Sequence, residues 1–86
     1  MGKKQVITNT CSKRVKIARV TKELTQVELA AAVSVDCGLD LNQRSISLIE
    51  RGKRFVRDVE LLALARVLDV TPYWLMFGEN VPEEYR

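Results

Sequence analysis

Leu24-Thr25-Gln26-Val27-Glu28-Leu29-Ala30, followed by Ile46-Ser47-Leu48-Ile49-Glu50-Arg51-Gly52, decides how this chain folds. The first stretch is a helix start. Thr25 and Glu28 have the spacing of a capping box, in which the hydroxyl accepts from the Glu28 amide and the carboxylate reaches back to the Thr25 amide. Leu24 and Leu29 flank the cap at the spacing of a hydrophobic staple, which sets the angle at which the chain enters the helix. The second stretch is a helix end. Gly52 is a natural left-handed stop, and Arg51, Lys53 and Arg54 surround it, where the negative pole of the helix dipole favours cations. Two short helices in succession, the second with a cationic exit, suit insertion into a DNA major groove.

Bulk properties agree with a small helical domain. The chain has 86 residues and 47% apolar content, enough for one core and no second. Aromatics are only 6% while Leu, Val and Ala abound, which favours a helical bundle over a sheet. No apolar run approaches the roughly 18 residues of a membrane span, and no signal peptide is expected, so the protein is read as cytoplasmic, with no membrane partner. Cys11 and Cys37, with no histidine anywhere, cannot build an ordinary zinc site; no metal and no cofactor are expected. Two reduced thiols, with Cys11 in the core, are the expectation for an intracellular chain, and a disulfide is the alternative.

The net charge of +3 is unevenly placed. Lys3, Lys4, Lys13, Arg14, Lys16, Arg19 and Lys22 load the first 22 residues with no acid among them, and Arg44, Arg51, Lys53, Arg54 and Arg57 face only Glu50 over 43–57. The intervening and final segments are acidic. Such runs are ordinarily solvated faces, and they form one binding surface only if the fold brings them to one side.

Helical periodicity divides the chain into five helices with no repeat and no strand-like alternation. Residues 1–9 read as a flexible basic arm, 10–78 as the folded domain and 79–86 as an acidic tail. Thr10 is the expected cap of a first helix over about 11–22, with Cys11, Val15 and Ala18 inward. The second runs over about 26–36, with Leu29, Ala30 and Val33 inward and Gly38 at its exit. Asn42 caps a third over about 43–51, which buries Ile46 and Ile49 and turns Gln43, Arg44 and Ser47 outward. Asp58 is the expected cap of a fourth over about 59–68, with Leu61, Leu62, Ala65 and Leu68 inward. Thr71 with Pro72 at the first helical position starts a short fifth helix that Gly78 ends.

The ordered set Arg14-Val15-Lys16, Arg19, Leu24-Thr25-Gln26-x-Glu28-Leu29-Ala30, Ile46-Ser47-x-Ile49-Glu50-x-Gly52, Leu61-x-x-Leu64-Ala65-x-x-Leu68-x-Val70 and Trp74-Leu75-x-x-Gly78 resembles the helix-turn-helix family of phage repressors, of the Cro and xenobiotic-response-element type. The resemblance implies an all-α, five-helix, lambda-repressor-like DNA-binding domain. One departure stands out. The interval from Gln26 to Ile46 is longer than in most of that family, which places extra residues near Ser34–Asp40, as in a longer-turn variant. They are expected to lengthen the second helix by a turn and to loosen the connection through Gly38.

The resemblance also assigns roles. Gln43, Arg44 and Ser47 would meet base edges, where arginine pairs bidentately with guanine and glutamine with adenine; a solvated polar face is the alternative. Leu48 either meets a thymine methyl or packs. Gln26, Arg51, Lys53 and Arg54 would hold phosphates, with Lys13 or Lys16 and the arm residues Lys3 and Lys4 as weaker candidates. Arg19 and Glu50 would form a structural ion pair between the first and third helices. Trp74 and Leu75 would seal the bundle, leaving Tyr73, Met76 and Phe77 as a possible homodimer interface, since so many bulky residues on a short helix cannot all point inward.

The function implied is a sequence-specific transcriptional regulator, a repressor that binds a pseudo-palindromic operator in double-stranded DNA as a homodimer. The alternative is an antitoxin or adaptor whose main role is to bind a partner protein. No enzyme is expected: there is no glycine-rich phosphate loop, and no nucleophile stands beside a base at a recognisable spacing.

Overall fold

Local chemistry fixes where the helices begin and end. The chain forms α1 (Lys3–Thr21), α2 (Gln26–Cys37), α3 (Gln43–Glu50), α4 (Asp58–Leu68) and α5 (Pro72–Phe77), followed by short 3-10 turns at Gly78–Asn80 and Glu83–Tyr85. This is a computed structural model, describing the backbone of residues 3–80 and 82–85 and the side chains of 11–80 and 82–84. At the start of α2 the Glu28 amide donates to Thr25 Oγ1 at 3.0 Å and the Thr25 amide to Glu28 Oε1 at 2.8 Å, so both halves of the capping box form. Asn42 Oδ1 accepts from the Ser45 amide at 2.8 Å and opens α3. Thr71 Oγ1 does the same for Trp74 at 3.0 Å and opens α5.

Three helix exits share one solution. After α3 the Gly52 amide donates to the Ile49 carbonyl and the Lys53 amide to the Leu48 carbonyl, a Schellman pair centred on Gly52 at φ 71°. The same pair of bonds ends α1 at Glu23 (φ 59°) and α4 at Asp69 (φ 60°), where no glycine is available. Gly78 closes α5 at φ 68°, in the left-handed range that favours glycine, and the Arg14 guanidinium, which donates to the Met76 carbonyl, occupies the space a Cβ would take.

The core is built from one apolar stripe per helix: Cys11, Val15 and Ala18 from α1, Leu29, Ala30 and Val33 from α2, Ile46 and Ile49 from α3, Ala63, Leu64, Ala65 and Leu68 from α4, and Leu75 from α5. Leu24 and Trp74 pack against it. Among the described residues both cysteines are free thiols. Burial pushes the Cys11 thiol up to about 11, which leaves it unreactive at neutral pH.

Several expectations are corrected. Helix α1 begins at Lys3, so residues 3–9 are helical rather than a separate arm and Thr10 lies inside the helix instead of capping it. Neither proline nor glycine interrupts residues 3–21, and a helix anchored by Val15 and Ala18 propagates backward at one hydrogen bond per residue. The side chains of Lys3 and Lys4 lie outside the described residues. Asp58 is the first residue of α4, and Arg57 occupies the cap position. Leu62, expected inward, is 58% exposed, because α4 is rotated to bury Glu60, Leu64 and Leu68. Helix α2 ends at Cys37, one residue past its expected end, with Gly38 as its left-handed exit. The connection that follows is tied down, since Leu41 enters the core and Asn42 caps α3 immediately after it.

Candidate nucleic-acid interface

Helix α3 is amphipathic because its sequence alternates in helical register: Ile46 and Ile49 are fully buried, while Gln43 and Arg44 are exposed and Ser47 and Leu48 half-buried. The exposed edge continues past the helix end into Arg51 and Lys53, both on the surface. The Schellman bonds fix the backbone of Lys53 directly beneath the helix terminus.

Behind this edge runs a chain of polar contacts that joins three helices. Arg19 on α1 donates from Nε to Glu50 Oε2 at 2.6 Å and from Nη2 to Oε1 at 3.1 Å, and its Nη1 donates to the Leu24 carbonyl at 2.7 Å. The Glu50 side chain is only 3% exposed, so a bidentate guanidinium is what makes its charge tolerable there. Glu50 Oε1 also accepts from Gln26 Nε2 at 3.0 Å, and Gln26 Oε1 accepts from Gln43 Nε2 at 2.7 Å. A carboxylate only accepts, so it dictates the orientation of the Gln26 amide, and that amide dictates the orientation of Gln43. The outward carbonyl and second N–H of Gln43 are thereby set in advance.

The structure therefore joins Gln26, Gln43, Glu50 and Arg19 by hydrogen bonds, and leaves Arg44, Arg51 and Lys53 exposed and Ser47 half-buried on and just after α3. Arg54 departs from its expected role. It turns inward, donating to both oxygens of Glu60 at 2.9 and 3.0 Å and to the Phe55 carbonyl. Glu60 is 1% exposed and accepts further from the Arg57 amide at 3.0 Å and from Arg57 Nε at 3.1 Å. These donors, Arg54 foremost, hold its carboxyl well below the usual range, at about 2. A buried carboxylate without them would be unpaired, which is why Arg54 serves the scaffold. Sequence reading missed Glu60; its position three residues after the cap of α4, where an acid reaches back to the cap amide, was the available signal. The Tyr73, Met76 and Phe77 group divides, with Tyr73 exposed and the other two half-buried against α5's own surroundings.

Among the described residues no single helix is long and apolar enough to cross a membrane. Residues 15–75, well over half of the chain, match a family model described as helix-turn-helix. No solved structure matches the chain.

Proposed function

The chain belongs to the phage-repressor-like helix-turn-helix family, of the Cro and xenobiotic-response-element type, and from that premise we propose that it is a repressor binding a pseudo-palindromic operator as a homodimer. The family is one of DNA-binding transcriptional regulators. The observation that supports sequence-specific base reading is the polar chain ending at Gln43. With one N–H given to Gln26, Gln43 keeps a carbonyl to accept from adenine N6 and a second N–H to donate to adenine N7 in the major groove. Arg44, beside it, suits guanine O6 and N7, and Ser47 reads a neighbouring edge one turn on. Gln26, Arg51 and Lys53 hold phosphates, with the amides at the start of α2 adding the positive pole of that helix. Arg54 contributes charge to this region without a free fork to offer.

Selection of bound duplexes from a random library at fixed, near-physiological salt tests the reading. Enrichment of a pseudo-palindrome with adenine and guanine at adjacent half-site positions is the expected result. Weak, salt-sensitive binding without enrichment would remove sequence-specific repression and favour the role of an antitoxin or adaptor for another protein.

A further inference from the structure

Two guanidinium groups converge on one buried carboxylate at the junction of α3 and α4. Glu60, 1% exposed, accepts from Arg54 Nη1 and Nη2 at 2.9 and 3.0 Å and from Arg57 Nε at 3.1 Å. The two arginines hold it differently. Arg54 is fully occupied: it is half-buried, and it also donates to the Phe55 carbonyl. Arg57 is engaged through Nε alone. Its side chain is 68% exposed, and among the described residues its two Nη atoms have no partner. The neighbouring acid does not take them, because Asp58 Oδ1 accepts from the Val59 amide.

The result is a charge with a direction. Two cations against one anion leave a surplus positive charge, and it sits on the guanidinium that faces solvent. An exposed arginine ordinarily loses rotamer freedom when it binds; Arg57 is held at Nε beforehand, with its outer fork free to take two oxygens of one anion. Its place in the chain says which anion. Arg57 closes the segment that leaves α3, four residues after the exposed Lys53 and so within about 14 Å of it. Phe55, 54% exposed, lies between these two cations in sequence. A free inorganic anion would leave that ring uncovered, whereas a nucleic-acid backbone presents a phosphate and a sugar together. Resting on the DNA-binding reading above, we propose that Arg57 grips a phosphate of the DNA backbone and that Glu60, itself touching no DNA, is the positioning residue that aims it. Arg54 then keeps Glu60 ionised inside the protein, so that the carboxylate is there to hold Arg57.

Binding of the full chain to a duplex of arbitrary sequence, followed over a series of salt concentrations, tests it. Arg57→Ala is expected to weaken binding to every duplex by about tenfold near physiological salt and to make the salt dependence shallower by about one unit. Arg57→Lys restores the charge but has no Nε for Glu60 to hold, so its slope should return to the parent's while its affinity stays below it. Glu60→Gln is the sharper variant. It adds one positive charge, so unaimed attraction to DNA would tighten binding; loss of aim weakens it, and weaker binding is the expected result. Circular dichroism at the assay temperature shows whether each variant is folded. An unchanged slope in Arg57→Ala, or tighter binding by a folded Glu60→Gln, overturns the proposal. If Glu60→Gln does not fold, Arg57→Lys decides: affinity equal to the parent's overturns it. A selection that enriches no pseudo-palindrome removes sequence-specific repression and leaves Arg57 in its role, because phosphates are met on any duplex, whereas a parent that binds no duplex overturns both readings.

Discussion

Two side chains show how the same residue type serves opposite ends. Arg44 is exposed on α3 with no partner among the described residues, whereas Arg54 is spent on a buried carboxylate. Arg44→Ala is expected to relax preference at one or two base pairs and to lose about 1–3 kcal/mol of binding there, leaving other positions unchanged. Binding measured on single-base variants of the selected duplex checks this, and a uniform loss would reassign Arg44 to a phosphate. For Glu60 the readout is stability. Its carboxyl is held near 2 against an ordinary 4.5, so the folded state gains from ionisation above about pH 4.5 and loses that gain as pH falls toward 2. The shift corresponds to roughly 3 kcal/mol. Glu60→Gln is expected to lower stability by about that much at pH 7 and to flatten the decline between pH 5 and 2, as read from urea midpoints. An equally steep acid decline in the variant would assign it to other carboxylates.

At the scale of elements, what was legible was whatever short-range chemistry decides. The Thr25–Glu28 box, the Asn42 and Thr71 caps and the Gly52 exit all depend on neighbours within a few residues, and the helices stand where those signals put them. The face of α4 was not legible. Leu61, Leu62, Ala63, Leu64 and Ala65 are apolar in succession, so periodicity could not choose a side, and the choice fell to the burial of Glu60 with Arg54 and Arg57. The Gln26–Gln43 contact was equally out of reach, because it depends on how α2 and α3 sit relative to each other. The helix exits yield a prediction of their own. Glu23 and Asp69 end α1 and α4 with positive φ, a conformation that costs an L-residue with a Cβ about 1–2 kcal/mol, less for Asp, whose short side chain tolerates it. Glu23→Gly is therefore expected to raise the unfolding free energy by about 0.5–1 kcal/mol after the added unfolded-state entropy is offset. Asp69→Gly should gain less. A loss in both, measured by urea unfolding, would mean that the replaced side chains hold their turns by contacts of their own.

The dimensions of the whole molecule constrain how two copies can share an operator. The protomer measures 32 × 27 × 21 Å. Half-sites one helical turn apart set protomer centres about 34 Å from each other, or a multiple of that. In the proposed dimer, bodies of this size at that separation barely meet, so the contact proposed across the operator is small and depends on few side chains. Tyr73, 41% exposed on α5, is the member of the aromatic group with the reach and exposure to make it. A small interface contributes mainly by turning the second half-site into an intramolecular encounter, an avidity of about 10²–10⁴-fold. Tyr73→Asp is accordingly expected to leave affinity for an isolated half-site unchanged and to reduce affinity for the full palindrome by up to that factor. Titrations of half-site and full-palindrome duplexes at one salt concentration check this. If Tyr73→Asp binds the single palindrome as the parent does, the copies on one operator are joined by some surface other than α5.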